Sequence, residues 1–358
     1  MSLQEKFSLP LLSWFDHFGR KDLPWQNPRT PYRVWISEIM LQQTQVKTVI
    51  PYFNRFMDNF PEIWHLARAY EDDVLSLWSG LGYYSRARNL IKTAKIIYER
   101  YQGEFPRDLQ LLISLPGIGP STAAAITSQA FNLPTPILDG NVKRVLCRYF
   151  AVDGPPNLSS VQHHLWGLAK QCMPDKRCAD YTQAIMDLGA TCCTARKPDC
   201  AICPLQETCL AKLQNQVERY PNKKIKKSLP IKEQLFLLLY TAKDDIFLEK
   251  RPPVGLWGGL WCMPIIDPDT SAAAHIKELY NFDATQIQEL MRIKHSFSHF
   301  HLQIAAIAIL IAEPEDRISE SSGKWIKISE IHRLGLAKPT MSIINYFREK
   351  RNLGRDDY

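Results

Sequence analysis

No apolar run in these 358 residues approaches the length needed to cross a bilayer, so no membrane role is expected. The opening Met1-Ser2-Leu3-Gln4-Glu5-Lys6 lacks the basic start and apolar core of a signal peptide. The chain is therefore expected in the cytoplasm, where nine cysteines do not suit a disulfide framework. Internal repeats and low-complexity tracts are also missing, and 11% aromatic residues are enough to bury much apolar surface, which excludes disorder on a large scale. The net charge of +7 is compatible with a polyanionic partner but does not by itself select one.

What is present divides in two. A chain of this length has room for two cores. Residues 1–222 read as helices with short punctuation. Thr30-Pro31 is a good helix opening, since Thr can cap and Pro fits the first turn. Residues 223–231, beginning Lys223-Lys224-Ile225-Lys226-Lys227, are basic and aperiodic and read as a linker. Beyond it, 232–358 reads as mixed α/β. Strands are expected at 235–240, 246–248 and 302–309, and helices around 276–278 and 341–348.

Five cysteines crowd into 192–209. Cys193, Cys200, Cys203 and Cys209, at spacings of six, two and five residues, can wrap one compact metal centre; Cys192 breaks the spacing. The same four thiolates also suit a tetrahedral zinc ion, and spacing alone leaves both open. Cys147, Cys172, Cys178 and Cys262 read as ordinary buried thiols.

Leu115-Pro116-Gly117-Ile118-Gly119-Pro120-Ser121-Thr122 precedes an alanine-rich stretch. Gly117 and Gly119 permit a tight turn whose uncovered N–H groups, at a helix start, suit a phosphate without reading sequence. Glu38 sits among Val34, Trp35, Ile36, Ile39 and Met40, company that should raise its pKa and keep a proton on it near neutrality. Asp139, in Leu138-Asp139-Gly140-Asn141, also fits a plain helix cap. Sequence alone does not bring these two carboxyls, about a hundred residues apart, to one site. Gly80 to Arg88 combines hinge glycines, tyrosines and two arginines, a composition able to wedge a base step and hold phosphate.

These motifs carry a resemblance. The six–two–five cysteine loop is similar to the [4Fe–4S] loop of the endonuclease III superfamily, and the octet at 115–122 resembles that superfamily's helix–hairpin–helix. Trp35 to Val46 and Leu138 to Arg144 resemble the adenine DNA glycosylases. The fold implied is a mainly α helix–hairpin–helix catalytic region, including the iron–sulfur loop 193–209, plus an α/β Nudix-like C-terminal domain. The activity implied is hydrolytic removal of adenine mispaired with 8-oxoguanine or guanine in double-stranded DNA, by a monomer carrying one [4Fe–4S] cluster.

By that match Glu38 protonates adenine, Asp139 stabilises the sugar cation and Asn141 orients the reacting groups. Gln42 and Tyr83 replace or wedge beside the flipped base, and Gly82, Arg86, Gly117, Gly119 and Ser121 contact DNA. Arg20, Leu23, Trp25 and Gln183 line the adenine pocket. Phe297, Ser298 and His299 read 8-oxoguanine. The lysine that forms a Schiff base in strand-cutting members is serine here, Ser121, so no efficient lyase activity is expected. Gly255 to Pro264 resembles a Nudix strand and turn, yet no magnesium-holding glutamate run follows, so no nucleotide hydrolysis is expected. The rival readings are an endonuclease III-like pyrimidine glycosylase and lyase, a non-catalytic iron–sulfur DNA-binding protein, and a Nudix hydrolase.

Overall fold

Thr30 caps the helix Pro31–Leu41 as its sequence suggests: Thr30 Oγ1 accepts from Arg33 N at 3.2 Å, with Pro31 in the first turn. This helix buries Tyr32, Val34, Trp35, Ile36, Ile39 and Met40 and leaves Glu38 partly exposed on a cavity. Its main neighbour is the helix Pro120–Phe131, buried at every position from Thr122 to Gln129. Alanine allows that burial, because small side chains let the helix pack between Pro31–Leu41 and Cys178–Asp187. A second core, built on Phe7, Leu11, Leu146, Leu165 and Tyr181, joins Leu3–Phe18 to the helices Gly140–Tyr149, Ser159–Cys172 and Cys178–Asp187.

The computed structural model describes residues 3–222, 228–312 and 323–351. Most of the basic stretch, 223–227, and the tail after Arg351 therefore lie outside the described residues. The chain divides into two compact units, Met1–Arg68 with Asn89–Lys226, and Ala69–Arg88 with Lys227–Tyr358. The sequence reading ran the helical region unbroken to 222. Packing instead groups Ala69–Arg88 with the second unit, where Lys250 pairs with Asp72 at 2.9 Å and Gly335 leaves no room for a side chain beside Leu75.

The second unit is built on a sheet that, among the described residues, has seven strands: β1 (Ile231–Tyr240), β2 (Asp245–Lys250), β3 (Trp261–Cys262), β4 (Ile265–Ile266), β5 (Ala284–Ser296), β6 (His301–Ile311) and β7 (Gly323–Lys327). The path runs β3-β2-β1-β6-β5, with β4 on β1 and β7 on β2. β1 and β6 pair in parallel from Ile231↔His301 to Tyr240↔Leu310; the other pairings are antiparallel. Helices Ala272–Tyr280 and Lys338–Lys350 stand where sequence expected helices. β5 was not anticipated. It is an edge strand whose first half is exposed, and it alternates between partly buried and exposed positions only over Met291–Ser296. Its pairing ends at Ser296↔His301, which makes Phe297–Phe300 the loop of a hairpin.

Candidate active site

A cavity of about 850 Å³ opens in the helical unit and gathers residues far apart in sequence: Glu38 from one helix, Ser121 from the start of another, Asp139 and Asn141 from a third, and Gln183 from a fourth. Arg20, Trp25 and Gln42 complete its wall. Leu23 does not reach it; it is buried beneath the turn Pro24–Gln26. Among the described residues no helix is long and apolar enough to cross a membrane.

Glu38 is half-buried, with its remaining surface on the cavity. Gln129 Nε2 donates to its Oε1 at 3.4 Å. Burial, helped by the nearby charge of Asp139, pushes its pKa up to about 8, so it holds a proton at neutral pH. Asp139 caps the helix Gly140–Tyr149: its Oδ1 accepts from Val142 N at 2.7 Å and its Oδ2 from Asn141 Nδ2 at 3.2 Å. Burial raises its pKa too, but those two donors and the Arg144 cation hold it toward the charged form. The cap reading of Asp139 holds, and the same geometry leaves the residue lining the cavity. Two carboxyls facing one cavity with unequal support from donors are what an acid and an anion require.

Sequence reasoning missed the layer behind these groups. Arg144 donates to Asn141 Oδ1 at 2.8 Å, to Gly189 O at 2.5 Å and to Cys193 O at 2.8 Å. It stands one turn after Asn141, a spacing that could have exposed it. Asp187 accepts from Arg20 Nε at 2.9 Å, from Arg20 Nη2 at 2.6 Å and from Gln183 Nε2 at 2.8 Å, so one buried carboxylate orients two of the expected pocket residues. Its i+4 spacing from Gln183 was a readable signal; Gln129 offered none.

In the hairpin, Gly117 has φ +78, and a Cβ there would lie 2.8 Å from Asn89 Cβ, so glycine is required. Gly119 is extended and its surroundings are open, so only an approach from outside the chain gains by its lacking a side chain. Cys193, Cys200, Cys203 and Cys209 border one void, with Arg148 donating to Cys193 Sγ at 3.3 Å. Cys209 feels the charges of the other three, and burial pushes its thiol up to about 11. Cys192 also borders the void but directs its thiol to Asp199 O at 3.2 Å. Among the described residues no three Cys, His, Asp or Glu side chains close in on a single ion. Four cysteine sulfurs around one void are a donor set that suits an iron–sulfur group. Cys147, Cys172, Cys178 and Cys262 are buried, as expected.

The second unit has its own pocket, of about 360 Å³, between the segment Gly80–Arg88, a loop running into the helix Ser85–Tyr101, and the Phe297–Phe300 hairpin. Tyr83 is half exposed on a left-handed backbone (φ +49) beside Gly82 (φ +68). Arg86, expected at phosphate, is turned inward: its Nη2 donates to Leu81 O and Gly82 O, each at 3.1 Å, and it is 9% exposed. Its present geometry shapes the loop. Phe297 stacks on buried Phe300 at 4.6 Å, leaving Ser298 and His299 exposed at the tip.

Comparison with known proteins places this arrangement. Residues 36–171 match the HhH-GPD superfamily of base excision DNA repair proteins, 193–209 the iron–sulfur binding domain of endonuclease III, and 235–346 the NUDIX domain. The helical unit with its two-carboxyl cavity is thus that of a base excision DNA repair enzyme. The adenine DNA glycosylase of Buchnera aphidicola (subsp. Acyrthosiphon pisum) is 41% identical over 344 residues, 96% of this chain and 98% of the relative. The human adenine DNA glycosylase is 32% identical, covering 94% of this chain and 73% of its own length. The chain belongs to the adenine DNA glycosylase family and removes adenine in base excision repair. Among solved structures, a thermostable thymine-DNA glycosylase aligns with TM-score 0.54 at 28% identity, over 59% of this chain and 97% of that one. A non-covalent endonuclease III–DNA complex shares the fold at TM-score 0.50 and 22% identity, over 60% and 98%.

Proposed function

We propose that the enzyme excises adenine lying opposite 8-oxoguanine or guanine, by hydrolysis and without strand cleavage. The observation that carries this is the pairing of protonated Glu38 with donor-supported Asp139 on one cavity. Glu38 gives its proton to the departing adenine. Asp139, whose charged form is favoured by Val142, Asn141 and Arg144 against the upward push of burial, faces the developing sugar cation. Glu38, now a carboxylate, receives a proton from the water that attacks the sugar. Asn141 aligns the pair, while Arg20, Trp25 and Gln183, with Leu23 beneath them, surround the flipped base. Ser121 offers no amine to the sugar, which supports a glycosylase without lyase chemistry.

Gln42 and Tyr83 act where the base leaves the stack, Gly82 and inward-turned Arg86 hold that loop in shape, and Gly117 and Gly119 present backbone N–H groups to phosphate. Cys193, Cys200, Cys203 and Cys209 hold one [4Fe–4S] cluster, which supplies a structural tie for the loop 193–209. We place excision in 1–222 and reading of 8-oxoguanine by Phe297, Ser298 and His299 in 232–358, with 223–231 joining them. The enzyme works as a monomer on DNA in the cytoplasm. A duplex with one adenine:8-oxoguanine pair tests this. The labelled strand should break only after alkali, and protein purified without air should hold four iron and four sulfide per chain. Breakage without alkali, or stoichiometric zinc, contradicts the corresponding half of the reading.

A further inference from the structure

The second unit contains a residue in a conformation its own side chain disfavours. Trp257 has φ +53, in the left-handed region that bulky side chains avoid. Such strain persists only where the surroundings over-determine it, and here they do. A Cβ on Gly258 would lie 2.6 Å from Pro253 O, and one on Gly259 would lie 3.2 Å from Arg88 Nη1. Arg88 reaches across this strap and donates to Gly258 O and, at 3.1 Å, to Pro253 O. Leu260 N closes the turn on Trp257 O at 2.9 Å.

The conformation fixes the indole. It lies 5.5 Å from the Phe297 ring and 5.8 Å from His295, and is backed edge-on by Phe236 at 5.9 Å. Arg88 lies in the first turn of the helix Ser85–Tyr101, which directly follows the loop that carries Tyr83. One guanidinium therefore ties the Tyr83 loop to the strap, and the strap's indole sets the ring at the base of the Phe297–Phe300 hairpin.

We propose that Arg88 and Trp257 are positioning residues forming a brace, through which the Gly80–Arg88 segment fixes the Phe297–His299 loop so that wedge and reader meet the damaged base as one body. This rests on reading that hairpin as the 8-oxoguanine reader. The sequence offers Arg88 as a phosphate-holding cation; in the structure its donors serve the strap instead.

Arg88→Met keeps the apolar stem and removes both bonds. Single-turnover excision of adenine opposite 8-oxoguanine and opposite guanine is measured in the full-length enzyme, Arg88→Met, Ser298→Ala/His299→Ala, and all three changes combined. The ratio of the two rates should fall about fivefold in Arg88→Met, with the guanine-opposed rate unchanged. In the loop-substituted background the same change should add nothing, because the reader it positions is already gone. Arg88→Lys, keeping one donor group, should recover part of the ratio. A residue that merely stabilised the unit would slow both reactions and its effect would add in full; that result overturns the brace. If the loop substitutions lower the ratio and Arg88→Met does not, the brace alone falls. If neither lowers it, the reading of the hairpin falls and takes the brace with it. Should Arg88→Met fail to fold, Trp257→Phe tests the other end, with a smaller loss and the same non-additivity expected.

Discussion

The two pockets of this enzyme are made by opposite means. In the helical unit, regular elements converge and burial does the electrostatic work: Glu38 is raised to about 8 by its surroundings, while Asp139 is raised by burial and steadied by donors. In the second unit the pocket is made of loops and the ends of the elements they join. Tyr83 and Trp257 stand on left-handed backbone, and shape is set by ring contacts. Among its titrating groups, His295 is shifted, downward, by burial and by Lys338. On the proposed reading, the comparison teaches that chemistry needs groups whose protonation is tuned and base reading needs groups whose position is tuned. A change in one pocket should therefore act on rate and a change in the other on choice.

The largest expected effect tests the first half of that contrast. Glu38→Gln should lower excision at least about 100-fold, the scale of a lost acid–base group, with mispair binding retained and the ratio between mispairs unmoved. Single-turnover assays beside binding titrations show this, and near-normal excision would exclude Glu38 as the acid. Next in size, Ser298→Ala with His299→Ala should shift the preference for 8-oxoguanine over guanine by roughly 1–3 kcal/mol. A ratio equal to that of the unsubstituted enzyme would end the reading role.

A third prediction uses the buried proton. Because the folded-state pKa of Glu38 is raised above its ordinary value of 4.5, folding takes up a proton. That stabilisation is complete below about pH 4.5 and is lost as pH rises toward 8. Glu38→Gln should flatten this fall and stabilise the protein at pH 8 by roughly 1–3 kcal/mol, measured by denaturant unfolding. An unaltered pH slope would mean that Glu38 titrates normally. The smallest effect separates the two hairpin glycines. Gly117→Ala should cost about 1–2 kcal/mol of stability from its φ and its clash with Asn89. Gly119→Ala should leave stability alone and weaken binding to undamaged duplex, so equal stability losses would contradict a phosphate role for Gly119.

Much of the helical half was legible because its signals are local. Thr30-Pro31 begins a helix where it should, and the cysteine spacing and the two-glycine octet are short enough to read in line. What could not be read was convergence: nothing in one dimension brings Gln129 to Glu38, 91 positions away. The second half was read where strands are buried, as in β1 and β6, and missed where a strand lies exposed at an edge, as in β5. The grouping of Ala69–Arg88 with the second unit left no compositional trace, since its residues read like those on either side.

The helix Pro120–Phe131 has no free side between Thr122 and Gln129. Its tolerance is governed by size, with polarity secondary, and Ala123, Ala124 and Ala125 are each at most 1% exposed. An alanine codon becomes a valine codon by a single transition, and each such change forces a β-branched side chain into a seam packed for a methyl group. A screen for heat-sensitive mutator strains carrying this gene should therefore return Ala→Val alleles at Ala123, Ala124 and Ala125, none of which lines the cavity. A repair enzyme thus carries, in its own coding sequence, a stretch that a single base transition can disable.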